Sequence, residues 1–314
     1  MYRSDLVYES MSVTIGHSFA LRPCEESTAT IIGVYGRALH LFPSIRLHAF
    51  NPLSNQLTDL ISASNPAEIQ AFVGYIKTNI SKELRRLHDL PYPVFAEQRA
   101  HVLPISPDLA SEEKRFRYVL SQGTKEDLVE SPRDWRGATG VHQLETDAPL
   151  YGPWFDRSAE DRARRRGETF EKYEYATWYP VRLSPLPSWN HLPDWRERAT
   201  EIISDIERVN RERREREGKS VLGFEGVMAF SPMHFPAEYA KSPTPHVLAA
   251  SEGTYRAFRR AFDTFCELFW ECSREARENP DAEIAFPPCS FPPSRPMTAG
   301  PSLDLGLLFA LEPL

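Results

Sequence analysis

The sequence predicts an α+β fold in which helices pack on an antiparallel sheet. In the first half, hydrophobic patterns follow one another in the order strand, helix, hairpin, helix, strand, helix. In the second half, two long helical patterns dominate, which predicts a mixed, largely helical C-terminal extension. This change of character predicts a domain at 1–150 and an extension with two long helices and a proline-rich tail at 151–314.

Each element of the first half has a local signal. Turn residues at 51–55 separate two alternating patterns, which predicts a hairpin. Pro66 fits the first turn of the following helix, because proline is tolerated there. The predicted elements are a strand at 12–21, a helix at 25–41, strands at 45–50 and 56–61, a helix at 67–87, a strand at 99–105 and a helix at 107–121.

The second half carries a basic run and more alternating aromatic residues. The run at 162–167 precedes the stretch 169–183, where aromatic and charged residues alternate as in one or two strands. Helices are predicted at 193–218 and 251–277. In the first of them the charges nearly cancel at i,i+4 spacing, which favours a solvated helix face. The tail from Pro280 is predicted to be extended chain.

The composition excludes several classes of protein. Hydrophobic residues are 41% and charged residues 26%, as in globular domains. No stretch approaches the ~20 apolar residues of a membrane span, and residues 1–9 show no apolar leader, so we expect a cytoplasmic protein without a membrane partner. The four cysteines form no CxxC pair, which argues against a zinc knuckle and a disulfide framework. The net charge of −7 argues against a basic coat for duplex DNA, but it permits a local basic patch.

Tyr118 is the residue with the most specific chemical potential. It lies on a predicted helix beside Lys114, Arg115 and Arg117. A phenol can attack a phosphodiester when a metal or cations stabilise the transferring phosphate. A half-buried packing role is the open alternative for this residue. The run Arg164, Arg165 and Arg166 likewise fits either phosphate contact or a plain surface cluster.

Several stretches resemble the single-tyrosine (HUH-type) transposases, specifically the REP-associated tyrosine transposase group in an extended form. Those proteins carry a strand motif Ala-aromatic-x-x-Met-x-Asn-His-hydrophobic-His, which corresponds to residues 49–58 here. They also carry a helix motif Tyr-hydrophobic-x-x-Asn-Pro-Val, followed by Leu-Val and Trp-Pro-Gly. The corresponding stretches here are 118–124, 128–129 and 135–137, and the second half adds similarity at 153–157, 183–187 and 285–293.

The resemblance implies a ferredoxin-like domain that binds single-stranded, hairpin-bearing DNA. In the family, two histidines hold a divalent metal, Mg²⁺ or Mn²⁺, and the tyrosine forms a covalent link to DNA. Tyr118 matches the nucleophile, and Gln122 matches the asparagine one helical turn later. The two metal histidines correspond to Gln56 and Thr58, which are weaker ligands than imidazole, although period-two spacing keeps both on one strand face.

Three hypotheses follow from these residues. The preferred one is a transposase-family protein that binds single-stranded or hairpin DNA and has lost, or largely lost, the metal and the cleavage and joining activity. The second is an active transposase whose metal is held by substitute ligands, with His48, Gln56 and Asp59 as candidates. The third is a protein-interaction module that does not bind DNA. The predicted DNA contacts are Lys114, Arg115, Arg117, Arg164, Arg165 and Arg166.

Overall fold

A four-stranded antiparallel sheet forms the centre of the protein. The computed structural model describes residues 3–96, 100–236, 245–288 and 290. The strands lie in the order β2-β3-β1-β4, and their bounds are β1 (Tyr8–Val13), β2 (Ile45–Phe50), β3 (Gln56–Ala63) and β4 (His101–Pro104). The central pair β1 and β3 sets Ser10 opposite Asp59 and Met11 opposite Thr58. This order is the ferredoxin-like arrangement, and it confirms the predicted α+β class.

Two helices cover one face of the sheet and a third covers the other. Their bounds are α1 (Glu25–Leu41), α2 (Glu68–Leu87) and α3 (Leu109–Lys125). Tyr35 of α1 contacts Asp59, whereas Gln122 of α3 contacts Thr58. Because neighbouring residues of a strand point to opposite faces, α1 and α3 lie on opposite sides of β3. The ring of Phe42, just after α1, lies 6.1 Å from that of Phe72, which joins α2 to the α1 side.

The second half adds a two-stranded ribbon and further helices. The remaining elements are α4 (Val141–Thr146), β5 (Leu150–Phe155), α5 (Arg157–Arg165), β6 (Ala176–Val181), α6 (Trp195–Glu217), α7 (Gly223–Met228) and α8 (Glu252–Glu278). The ribbon of β5 and β6 packs on α1. A Cβ added to Gly33 would overlap the carbonyl oxygen of Pro153, so the two backbones meet at a glycine.

The hydrophobic core continues from the first half into the second. Leu183, Trp189 and Ile203 belong to the same buried cluster as Tyr8 and Phe50 of the sheet. The boundary at residue 150 stays a prediction. Within the described part of the chain, no helix has both the length and the apolar character needed to cross a membrane.

Several local predictions differ from the structure. The first strand occupies 8–13 and not 12–21, because residues 15–17 form a 3-10 turn in which Gly16 has a φ of 57°. Helix α3 continues to Lys125, four residues beyond its predicted end. Strand β5 and helix α5 were not predicted. The proline-rich tail beyond residue 290, together with residue 289, lies outside the described residues.

Helix α6 is only partly the solvated helix that its charges indicate. Of its narrow apolar stripe, Ile202, Ile203 and Ile206 are buried together with Ala199, whereas Val209 is exposed. Its charged residues reach across to α3 and the turn after it, through the ion pairs Arg117–Asp205, Arg198–Glu113 and Arg213–Asp127. The charged residues of α6 therefore form ion pairs with α3 and the turn after it as well as ion pairs within α6.

Candidate functional site

Helix α3 brings Gln122 into contact with Thr58 on one face of the sheet. The Nε2 atom of Gln122 donates a hydrogen bond to Oγ1 of Thr58 at 3.3 Å, and both side chains are buried. Gln56 is half-buried and lies two residues before Thr58, on the same strand face. Tyr118 precedes Gln122 by one helical turn on α3. The tyrosine helix therefore crosses the strand positions that the metal motif would occupy.

Asn51 is a residue of this region that sequence reasoning missed. Its side-chain Nδ2 donates to the carbonyl oxygen of Val119 at 2.9 Å, and its backbone N–H donates to the carbonyl oxygen of Thr58. The side chain is 3% exposed. Asn51 thus ties the turn after β2 to the middle of α3. The turn chemistry of residues 51–55 was visible in the sequence, but nothing in it pointed to a helix 68 residues later.

Tyr118 is held between two cations. The Cζ atom of Arg115 lies 4.0 Å from the centroid of the Tyr118 ring, and Nζ of Lys125 lies 5.3 Å from it. The ring is half-buried. Both contacts have the geometry of cation–π interactions, which are worth about 0.5–1 kcal/mol at exposed sites and more when desolvated. The phenol is therefore fixed in place from both sides along the helix.

Arg115 is also the partner of a buried carboxylate. Its Nε atom donates to Oε2 of Glu9 at 2.8 Å, and the Glu9 side chain is 4% exposed. Burial raises the pKa of Glu9, and the neighbouring Arg115 opposes that rise. The guanidinium therefore balances Glu9 inside the protein, which reduces the positive charge that it can offer to a phosphate.

The other predicted DNA contacts are spread over two sides of the molecule. Lys114 donates from Nζ to the carbonyl oxygen of Ala250 at 3.0 Å. Arg164, Arg165 and Arg166 lie on and after α5, whose first residue Arg157 is bonded to Glu83 of α2. They therefore lie on the α1 and α2 side of the sheet, away from Tyr118. The ion pairs of this set are Arg115–Glu9, Arg117–Asp205, Arg164–Glu160, Arg164–Asp161 and Arg166–Glu168.

The residues at the metal-motif positions do not fit Mg²⁺ or Mn²⁺. Thr58 offers a hydroxyl that already accepts from Gln122, and Gln56 and Gln122 offer neutral amides. Hard divalent cations are held in proteins chiefly by carboxylate and other oxygens, and Mn²⁺ also by imidazole. The Oε1 atom of Gln122 is buried and has no hydrogen-bond partner among the described residues. Within the same residues, no group of three or more His, Cys, Asp or Glu side chains is placed to hold a metal ion.

The substitute ligands of the second hypothesis do not converge either. Asp59 lies on the opposite strand face from Thr58, where the Tyr35 hydroxyl donates to its Oδ2 at 2.7 Å. His48 is buried, and one of its ring nitrogens lies 2.9 Å from Oγ of Ser62. Ser62 is four residues along β3 from Thr58, a separation of ~13 Å at the usual rise per strand residue.

Comparison with known proteins finds a distant structural neighbour. No family model matches the chain, and no curated protein matches it. A solved structure described as "Structure of the REP associates tyrosine transposase bound to a REP hairpin" is similar with a TM-score of 0.38 and 12% sequence identity. The similarity covers 46% of this chain and 81% of that chain. The chain therefore has a distant structural resemblance to a REP-associated tyrosine transposase.

Proposed function

We propose that this protein is a transposase-like DNA-binding protein that takes single-stranded, hairpin-bearing DNA and has lost metal-assisted strand cleavage. The Gln122–Thr58 hydrogen bond carries the proposal. It places the tyrosine helix across the strand face of the metal motif, while neutral side chains fill the metal positions and bind each other. The motif order in the sequence supports the DNA-binding part of the proposal.

The cations that remain for DNA at this site are two lysines of α3. Lys125 lies beside the Tyr118 ring and forms no ion pair within the described part of the chain. The ammonium group of Lys114 donates to the carbonyl oxygen of Ala250 and, among the described residues, forms no ion pair. Both side chains are exposed, so they can reach a phosphate. Two ammonium groups without carboxylate partners among the described residues support binding that is weaker than a continuous basic groove would give.

A protein-interaction module without DNA binding is the second candidate. One observation favours it: four of the six predicted DNA contacts have carboxylate partners, namely Arg115, Arg117, Arg164 and Arg166. Phosphate binding would have to compete with those carboxylates. This candidate and the preferred one differ in a measurable way, because contact with phosphates gives an affinity that falls steeply with salt.

The test is a binding titration with a labelled single-stranded hairpin oligonucleotide over a series of salt concentrations. We expect binding that weakens steeply as salt rises, and a further loss in Lys125→Ala. Lys219→Ala is the matched control, because Lys219 is an exposed lysine that pairs with Glu217 at the end of α6. Undetectable binding at low salt would favour the interaction module instead.

The cleavage part of the proposal has its own assay. Protein and hairpin oligonucleotide are incubated with Mg²⁺ or Mn²⁺ and analysed under denaturing conditions. We expect no covalent protein–DNA adduct. An adduct that forms in the unmodified protein and vanishes in Tyr118→Phe would overturn the loss of cleavage, while leaving the DNA-binding part intact.

A further inference from the structure

The ribbon of β5 and β6 has an aromatic face that the α3 site does not use. In its register, Tyr151 lies opposite Pro180 and Pro153 opposite Trp178. Gly152 and Tyr179 face the other way and meet α1 at Gly33 and Gly36. Since side chains alternate along a strand, Tyr151, Phe155 and Trp178 share one face of the ribbon. Tyr151 is 53% exposed and Trp178 is 50% exposed.

Three rings near this face form a continuous surface. The ring centroids of Phe155 and Tyr173 are 5.9 Å apart, and the planes differ by 19°. Tyr173 in turn lies 5.7 Å from Trp178, at an interplanar angle of 49°. Tyr173 is 45% exposed, so the middle ring of the surface is open to solvent. Tyr173 and Trp178 are therefore adjacent, exposed rings on which a planar ligand can stack.

Cations accompany these rings. Nζ of Lys172 lies 5.2 Å from the Tyr173 centroid, and Cζ of Arg157 lies 4.2 Å from the Phe155 centroid. A cavity of about 310 Å³ opens beside them, between the ribbon and the N-terminal part of α1. Its charged lining residues are Glu26, Glu83, Arg86, Arg157 and Lys172.

The cations that line this cavity outnumber its carboxylates although the whole chain is acidic. Arg157 forms ion pairs with Glu83 and with Glu160, so it adds no unpaired positive charge. Arg86 and Lys172 form no ion pair among the described residues, and they outnumber the remaining carboxylate, Glu26. A positive surplus next to open aromatic rings stands out in a protein with a net charge of −7. This combination fits a ligand that has planar groups and negative charge in the same molecule.

We infer that this surface, formed by Phe155, Tyr173 and Trp178 with Arg86 and Lys172, binds single-stranded nucleic acid. Bases stack on the three rings, and the two cations contact the phosphates, which is how proteins bind single strands without reading their sequence. We call this surface the ribbon platform. It goes beyond the proposed function, because it lies on the α1 side of the sheet and needs neither Tyr118 nor a hairpin.

A proline-rich peptide is the other ligand that an aromatic surface can take. Proline rings stack on aromatic side chains, but they bring no negative charge to Arg86 and Lys172. The cations therefore favour the nucleic acid. Tyr173 and Trp178 belong to the alternating aromatic and charged residues at 169–183, which the α3 site does not use.

The experiment titrates the full-length protein with an oligothymidine of roughly twelve nucleotides, which forms no hairpin. Fluorescence anisotropy of the labelled oligonucleotide measures affinity, and quenching of tryptophan emission reports stacking. We expect about a tenfold loss of affinity in Trp178→Ala, as usual when one base–aromatic stack is removed. Trp178→Phe should keep most of the affinity and lose the quenching. Trp270→Ala is the matched control, because Trp270 is 67% exposed on α8.

Three outcomes would overturn the inference. The first is unchanged affinity and quenching in Trp178→Ala at an unchanged melting temperature. The second is an equal loss of affinity in Trp178→Ala and Trp270→Ala. The third is quenching of Trp178 by a synthetic peptide of residues 285–296 but not by oligothymidine. The α3 site is tested separately, since Lys125→Ala should weaken hairpin DNA only, so either proposal can fail while the other stands.

Discussion

Strand residues bury a carboxylate on each face of the central sheet, and the two carboxylates have different partners. Glu9 points towards α3, where it meets the guanidinium of Arg115. Asp59 points towards α1, where it meets the neutral hydroxyl of Tyr35. The strands that carry them are neighbours, since Ser10 of β1 lies opposite Asp59. Burial raises the pKa of both carboxyl groups, but a cation opposes the rise at Glu9 whereas only hydroxyl groups oppose it at Asp59.

The largest expected effect is the pH dependence of stability that Asp59 brings. Burial raises the pKa of Asp59 to about 7, and the hydroxyls of Tyr35 and Ser10 only partly oppose this. The folded protein thus binds a proton between about pH 4 and pH 7 that the unfolded chain has released, so the stability contributed by this group falls as pH rises through that window. A difference of about three units between the pKa of Asp59 in the folded and the unfolded chain corresponds to ~4 kcal/mol in the free energy of unfolding.

Asp59→Asn should remove this dependence, because an amide does not titrate and can still accept from Tyr35. We expect the free energy of unfolding of the variant, minus that of the unmodified protein, to grow from pH 4 to pH 7. Chemical denaturation at several pH values measures that difference. Asp281→Asn, at an exposed position, should change stability by less than about 0.5 kcal/mol throughout. A difference for Asp59→Asn that is constant with pH would contradict the prediction.

Because His48 also titrates, the effect of Asp59 has to be measured as the difference in unfolding free energy between the variant and the unmodified protein. Burial lowers the pKa of His48 to about 4, so its contribution to stability is lost as pH falls from about 6.5 to 4. This trend has the opposite sign to that of Asp59 in an overlapping window. The pH profile of the unmodified protein alone can therefore look flat while both groups titrate. In Asp59→Asn, the rise in stability between pH 4 and pH 6.5 from His48 should become visible.

The next largest loss of stability is expected when Glu9, the carboxylate on the α3 face, loses its partner Arg115. Arg115→Ala leaves Glu9 buried without its cation and removes the contact with the Tyr118 ring. Breaking a buried ion pair in this way costs about 3 kcal/mol. The double variant Glu9→Met with Arg115→Met should recover most of the loss, because it removes both charges. Urea denaturation of the three proteins decides this, and a loss under about 0.5 kcal/mol in Arg115→Ala would show that water screens the pair.

Substitution of Gly33 in α1 should have a smaller effect on stability, and the same substitution at Gly74 in α2 is its control. Gly33→Ala would push a methyl group against the backbone of Pro153 in the ribbon, and such overpacking costs about 1–3 kcal/mol. A Cβ added to Gly74 of α2 meets nothing within 4 Å, so Gly74→Ala should stabilise the helix by about 0.5–1 kcal/mol. Thermal melting should move down in the first variant and up in the second. Equal shifts would mean that the ribbon can move away from α1.

The helices of the sheet domain could be predicted because their signal is local. Apolar residues of α2 recur at helical spacing in the sequence, and the structure buries them: Ile69, Phe72, Val73, Ile76, Ile80 and Leu84. The shared face of Gln56 and Thr58 also follows from the period of a strand. The contact of Thr58 with Gln122 does not, because no spacing rule says which face of the sheet a later helix covers.

Long-range partners account for most of what the sequence could not predict. Arg117 and Asp205 are 88 residues apart, so each looks like a solvated surface charge until α6 lies against α3. Strand β5 was missed because Gly152 and Pro153 resemble turn chemistry. In the structure Gly152 is needed where the ribbon backbone meets α1 at Gly33. The residue that breaks the local strand pattern is therefore the one that makes the tertiary contact possible.

The smallest effect is expected at the hydrogen-bonded pair of Gln122 and Thr58. Gln122→Leu loses the 3.3 Å hydrogen bond to Thr58, but it also removes a buried Oε1 atom without a partner. These two changes have opposite signs, so we expect a net change within about 1 kcal/mol. Combining Gln122→Leu with Thr58→Val in a double-mutant cycle should give a coupling of about 0.5–1 kcal/mol. A coupling above about 2 kcal/mol would mean that this neutral pair is a main support of α3, comparable to the ion pair of Arg115 on the same face.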